Sequence, residues 1–380
     1  MAQSSQGGSP AGRNRAPDRR RIGWAAAILA AVVLLGGGAV AISRVWAADR
    51  RDSTARSDPP APTPSPTPSP TPEPGADITG PLNLLLVGVD TRTSDPTWTP
   101  NADAVLIMHI TENLDQAYLF SLPRDLVVDV PAFDKADFGG ARTKLTHAMS
   151  YGSKIPGNGT SPSAAQGYQL LSRTVREYTG IKKFDAGAVL TFGALDNLVD
   201  ALGGVDIYVD QRIVSQHRRP DGKHRPGDGY GYVGPQMVYE KGERHLNGWQ
   251  ALDFARQRYL PGGAYARQRH HQQLIKAIVE RLLSHEIVRD PDQLDPAIRA
   301  MGKAFTFDGG GQEIIDFSFA LSGLRPEAMT LVALPGHSVG SGGSYRGEEL
   351  DQIGTDFIAA VRKGTVADFL ATNPDLVVKR

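Results

Sequence analysis

Three short clusters carry side chains that could do chemistry, and each lies where an apolar or helical pattern gives way to a turn. Gly88-Val89-Asp90-Thr91-Arg92 closes an apolar run, and Asn101-Ala102-Asp103 opens the next one. In open α/β sheets, ligand sites form at the C-terminal edges of strands. Two carboxylates brought together repel unless a metal or a nearby arginine neutralises them. Asp90 and Asp103 are therefore either a metal pair or ordinary turn residues. Magnesium (or manganese) suits the first reading, because it takes one or two carboxylates together with substrate phosphate oxygens.

The third cluster is basic. Leu122-Pro123-Arg124-Asp125 follows a strand, and Ala255-Arg256-Gln257-Arg258-Tyr259 ends a helix that starts near Asn247, a good N-cap. Residues two apart on a helix face different sides, so Arg256 and Arg258 reach one anion only if the helix stops between them. Pro261-Gly262-Gly263 supplies the break. Arg267, Arg269 and Gln272 then open the next helix, whose N-terminus favours phosphate. Solvated surface arginines are the competing reading, and local sequence leaves both open.

Other chemistries are excluded or weak. Cysteine is absent, which removes disulfides, thiolate metal sites and cysteine nucleophiles. Lys+Arg and Asp+Glu are both 41, so no basic field points to nucleic acid. His109, His147, His245, His270 and His271 lack the spacing of a zinc site, and neither a G-x-S-x-G elbow nor a Walker loop is present.

The elements that must position these clusters alternate. Leu82–Val89, Ala104–Ile110 and Ala117–Leu122 are nearly continuous apolar runs, as expected of strands covered on both faces. Ser163–Tyr178 has helical spacing, Ala186–Leu190 reads as a strand, Phe192–Leu202 as a helix, and Val205–Val209 as a strand after a Gly203-Gly204 turn. Tyr265–Leu283 is the strongest helix, with Leu274, Ile275, Ile278 and Leu282 on its apolar stripe and His271 beside them. The alternation predicts an α/β domain, a three-layer α/β/α sandwich around a mixed, largely buried sheet. Leu350–Val361 reads only as a packing helix.

Upstream the chain changes character. Residues 22–42 form an uncharged apolar run, enough to cross about 30 Å of hydrocarbon at roughly 1.5 Å per residue. Arg13, Arg15, Arg19, Arg20 and Arg21 precede it and predict a cytoplasmic N-terminus. The expected layout is a cytoplasmic tail at 1–21, a single transmembrane helix at 22–42, a Pro/Ser/Thr-rich linker at 43–75 and an extracytoplasmic domain at 76–380. Proline at nearly every second position of Ser57–Gly75 forbids helix and sheet and favours an extended spacer.

Taken in order, the strings NLLLVGVDTR, DAVLI, LFSLPRDLVVDVP, TKLTHAMSYG, TVREYTGIKKFD, LVDALGGVDIYV, HLNGWQALDFARQRY and YARQRHHQQLIKAI resemble the LytR-CpsA-Psr family over residues 82–335. The Pro, Gly, Ala and Arg content suggests an actinobacterial type. The resemblance implies an α/β/α sandwich with a long apolar pocket for a polyprenyl chain. It implies a magnesium-dependent phosphotransferase that moves a glycopolymer (teichoic acid, capsular polysaccharide or arabinogalactan) from a polyprenyl-pyrophosphate carrier to peptidoglycan, with pyrophosphatase activity as a side reaction. On that pattern Asp90 and Asp103 hold the metal, Arg124, Arg256 and Arg258 grip the pyrophosphate, Arg92 and Arg267 join that grip, and Gln272 sits beside them. Asp90 or Asp103 could act as base only if not committed to the metal.

Two positions depart from the family pattern. Asn101 stands where an arginine is usual, and Ala264 where an acidic residue is usual. They motivate an alternative, a polyprenyl-phosphate-binding protein of little activity with a regulatory or scaffolding role. Arg92 and Arg269 are the candidates to replace a missing cation.

Overall fold

The computed structural model describes residues 75–91, 95, 97–157, 161–229, 231–257, 259–282, 305–313, 316, 317, 320, 321 and 323–378. The apolar run at 22–42 and most of the linker lie outside them. Among the described residues no helix is long and apolar enough to cross a membrane.

The apolar runs become the strands of one mixed sheet. These are β1 (Leu82–Asp90), β2 (Asn101–Ile110), β3 (Ala117–Leu122), β6 (Ala186–Thr191), β11 (Phe305–Asp308) and β12 (Met329–Val332), in the order β11-β6-β1-β2-β3-β12. β1 runs antiparallel to β2 and parallel to β6; β3 runs antiparallel to β2 and parallel to β12. Short pairs surround the sheet: β4 (Val127–Val130) with β5 (Ala141–Lys144), β7 (Val205–Val209) with β10 (Gly242–Leu246), and β8 (Ile213–Val214) with β9 (Val238–Tyr239). The turn into β7 uses Gly203 and Gly204 at φ +76° and +97°, where a side chain would be strained.

Helices cover both faces. α1 (Thr146–Gly152), α2 (Ala164–Thr179) and α6 (Gln352–Lys363) pack with Leu85, Val87, Val105 and Ile107 in one apolar core. α3 (Phe192–Ala201), α4 (Gly248–Arg256) and α5 (Gly263–Leu282) pack with Leu84, Leu86, Leu106 and Met108 in the other. Alternate residues of β1 thus feed opposite cores, which is why its sequence is apolar throughout. Local signals set the helix ends. Ser163 accepts from the Gln166 amide and Gly180 closes α2 at φ +69°, while Asn247 and Gln250 form a capping box on α4.

The C-terminal stretch differs from the sequence expectation in one respect. Leu350 ends a strand, β14 (Gly347–Leu350), paired with β13 (Gly336–Val339), and helix α6 begins only at Gln352, followed by α7 (Val366–Thr372). Phe357, Ile358 and Val361 are buried, so this segment completes the core shared with α1 and α2.

Candidate functional site

The β1–β2 pair aims the carboxylates. Gly88 pairs with Ala104, but Val89 pairs with Ala102, so Asp103 is the extra residue of a β-bulge. A bulge redirects one side chain out of the sheet's alternation. A Cβ on Gly88 would meet that of Ala104 at 3.1 Å, so small residues permit this close approach. Asp90 ends β1 opposite Asn101.

Arginines answer both carboxylates. Arg124 leaves β3 in a turn held by the Leu126 amide donating to the Pro123 carbonyl at 3.0 Å, and its guanidinium is ion-paired with Asp103. Its Nε lies 3.6 Å from Asp125, which also has the Lys144 ammonium at 3.6 Å. Arg256 is the last residue of α4, since Gln257 turns to an extended backbone at ψ 129°. Its guanidinium lies 3.8 Å from Asp90 and 5.0 Å from the centre of the Phe192 ring. The helix therefore does stop after Arg256, as the Arg256/Arg258 spacing required. Arg258 itself and Arg92 lie outside the described residues.

A polar chamber of about 380 Å³ lies against two of these groups, Asp103 and Arg256. Asp103, Arg256 and Arg267 line it together with Gln216, His217, Tyr232, Tyr259, Phe192 and His271. Beneath it an apolar pocket of about 50 Å³ runs between the sheet (Leu86, Gly88, Ala104, Leu106, Ala188) and the helices (Leu195, Leu274, Ile275). Phe192 and His271 belong to both walls, so the two spaces adjoin.

Position on α5 decides who reaches this space. Arg267 and His271 are four residues apart and face it together. Burial, reinforced by the Arg267 charge, pushes the His271 imidazole down to about 3, which keeps it neutral at pH 7. Gln272 does not line the chamber. Its amide donates to Ser121 Oγ and the Val332 carbonyl, both at 3.1 Å, and it ties α5 to the sheet. The position beside the arginines belongs to His271, one residue earlier. Arg269 is also engaged elsewhere, with two nitrogens on Asp210, each at 2.7 Å. Burial alone would raise the Asp210 carboxyl, but the His270 and Arg269 partners outweigh it and hold it at about 2. Arg269 therefore does not replace the cation missing at Asn101.

Gln216, His217, Tyr232, Tyr259 and His271 were not expected as site residues. The first three lie in the irregular segment between β8 and β9, where no periodicity signals a role.

As a metal centre, the site offers two carboxylates. Among the described residues no group of three or more His, Asp and Glu side chains could hold an ion. That donor set fits a magnesium site completed by phosphate oxygens, and would not fit an all-protein cage. An apolar pocket adjoining an arginine-lined chamber suits a ligand with an apolar tail and an anionic head.

The family follows from comparison. The LytR-CpsA-Psr (LytR_cpsA_psr) family profile matches residues 47–356, and the chain belongs to that family. Similar proteins include the polyisoprenyl-teichoic acid–peptidoglycan teichoic acid transferase TagU of Enterococcus faecalis, 26% identical over 251 residues that cover 66% of this chain and 70% of that protein. Biofilm regulatory protein A of Streptococcus mutans is 27% identical over 213 residues, 55% of this chain and 46% of that protein. The chain thus spans about half the length of the second relative. The solved structure of Streptococcus agalactiae protein gbs0355 shares the fold, with a TM-score of 0.56 at 20% identity over 75% of this chain and 88% of that one.

Proposed function

We propose that this protein transfers a glycopolymer from a polyprenyl-pyrophosphate carrier to peptidoglycan, leaving a phosphodiester link, at the outer face of the membrane that residues 22–42 would span. The observation that carries the proposal is the adjacency of the two spaces, an apolar pocket that shares Phe192 and His271 with a chamber lined by Arg256 and Arg267. The name of the Enterococcus faecalis relative agrees with this chemistry.

In this reading the prenyl chain enters between the sheet and α3/α5. The pocket of about 50 Å³, lined by Leu195, Leu274 and Ile275, would have to widen to take it. The pyrophosphate lies in the chamber against Arg256, Arg267 and Arg124, with Arg92 and Arg258 as further cations. A peptidoglycan hydroxyl forms a bond to the sugar-linked phosphorus. The bond from that phosphorus to the bridging oxygen breaks, and polyprenyl monophosphate leaves with the electron pair. The arginines neutralise the charge that develops on the leaving phosphate. Asp90 would take the hydroxyl proton only in a state in which it does not ligate the metal. Asp90 and Asp103 would hold magnesium (or manganese), which would supply Lewis-acid polarisation of the phosphoryl oxygens. Water in place of the sugar hydroxyl would give pyrophosphate hydrolysis.

A second reading rests on Asn101, which lies opposite Asp90 in the strand register and brings no positive charge. In this reading the protein binds polyprenyl phosphates with little turnover, serving regulation or scaffolding. One assay separates the two. Purified protein is given a synthetic polyprenyl pyrophosphate with and without magnesium, and products are followed by mass spectrometry. The transferase reading expects metal-dependent turnover that disappears in Asp103→Ala and Arg124→Ala. Tight binding with no turnover would establish the second reading.

A further inference from the structure

The chamber has a rim that the pyrophosphate does not use. Tyr232 is 44% exposed, Val233 41% and Tyr259 82%; with Ile155 they are the exposed large hydrophobic side chains among the described residues. Two of the four, Tyr232 and Tyr259, line the chamber. Scattered exposed apolar residues need no explanation, but a cluster beside a polar cavity marks a recognition surface. The His217 and Tyr232 rings meet at right angles with a centroid distance of 4.8 Å.

This rim is built rather than loose. Ser215 is fully buried; its hydroxyl donates to Asp253 at 3.0 Å and accepts from the amides of His217 and Arg218. The Gln216 amide donates to Gln257 Oε1 at 3.2 Å, which joins the segment to the end of the helix that presents Arg256. Arg225 donates to the carbonyls of Gln216 at 2.7 Å, Tyr232 at 2.8 Å and Gly234 at 3.3 Å. Arg218 donates to the Gly222 carbonyl at 2.8 Å, and Arg219 pairs with Asp221 at 3.2 Å.

Those arginines decide what the rim meets. A membrane-surface element directs its cations outward to anionic headgroups around apolar tips. Here two of the segment's arginines, Arg218 and Arg225, hold its own backbone, and Arg219 is paired with Asp221. The rings that remain exposed line a polar chamber, next to Gln216 and Arg256. A pyranose presents that combination of needs, with an apolar C–H face to lie on an aromatic ring and hydroxyls at its edge for amide and guanidinium groups.

Resting on the transferase reading above, we propose that Tyr232, Tyr259 and Gln216 form a glycan subsite that holds the first sugar attached to the pyrophosphate. The arginines then register the charged link, and the rim selects what hangs from it.

The test compares two probes on the full-length protein: geranylgeranyl pyrophosphate and the same lipid carrying N-acetylglucosamine on its second phosphate. Binding is measured by calorimetry for the wild type, for Tyr232→Ala/Tyr259→Ala, and for Tyr232→Phe/Tyr259→Phe. The alanine pair should weaken the sugar-bearing probe about tenfold, as expected for losing two stacking rings, and leave the bare lipid within twofold. The phenylalanine pair should retain both, because the ring face and not the hydroxyl makes the contact. Both tyrosines are exposed, so an unchanged melting temperature is expected and verifies folding. Equal losses for both probes, or no loss for either, would overturn the subsite. So would reduced sedimentation with phosphatidylglycerol vesicles at unchanged sugar discrimination, which would make the rim a membrane face. If the wild type binds neither probe, the transferase reading fails first and the subsite falls with it.

Discussion

The two faces of the central sheet are built from the same strands but finished differently. On the face covered by α2 and α6, large side chains interlock; Phe120 and Phe357 meet edge to face at 5.2 Å, and both are fully buried. On the face covered by α3, α4 and α5, the sheet turns small at one end. Gly88, Ala104 and Ala188 leave the apolar pocket, and Asp103, Arg267 and His271 line the polar chamber beside it. One face is thus filled for stability. The other forgoes packing where a ligand would supply it. Loss of packing and loss of function should therefore separate by face.

Phe357→Ala should break the filled face, with a loss of about 3–5 kcal/mol. Chemical denaturation would measure it, and lipid affinity per folded molecule should not change. On the open face Arg124→Ala should do the reverse. Turnover of a polyprenyl pyrophosphate should fall by about 10²–10³, while the melting temperature stays within a few degrees. Equal effects of the two substitutions on stability would erase the distinction between the faces.

pH sharpens the comparison. The folded His271 titrates at about 3, below its ordinary 6.5. An unfolded chain takes up that proton first as pH falls. His271 therefore contributes stability above pH 6.5 that is lost progressively as pH drops toward 3. The slope approaches about 1.4 kcal/mol per pH unit, or roughly 2 kcal/mol between pH 6.5 and 5. Denaturation midpoints at those two pH values should converge in His271→Gln, which keeps a neutral hydrogen-bonding side chain. A variant as pH-dependent as the wild type would show that His271 is not the group responsible. The smallest effect is expected from Ala188→Leu, which fills the pocket. It should weaken geranylgeranyl pyrophosphate about tenfold, with overpacking costing about 1–3 kcal/mol. Unchanged affinity would place the lipid elsewhere.

Much of this arrangement was legible in the chain. Runs such as LNLLLVGV announce strands buried on both sides, and Asn247 with Gln250 announces a helix start, because these signals act within a few residues. Asp90, Asp103, Arg124 and Arg256 stood out by lying where those elements end, and the structure sets each carboxylate against an arginine. The string His270-His271-Gln272-Gln273 was misleading. On a helix each residue turns about 100° from the last, so only the docking of α5 on the sheet decides which of the four faces the chamber. Gln272 points to Ser121 and Val332, and His271 takes the site. The segment 215–237 gave no periodic signal, since its shape rests on Ser215, Arg225 and Gln257 bonding across the fold.

What the sequence determined by itself was therefore local: strand and helix identity, their caps, the absence of cysteine chemistry, and the residue types gathered at element ends. Only the tertiary structure decided which of those residues share a space. The bulge that aims Asp103 needs a partner strand, the neutral state of His271 needs burial beside Arg267, and the pocket needs two helices standing off a patch of small residues. Each depends on atoms far apart in the chain being brought within a few ångströms, and no local pattern encodes that distance.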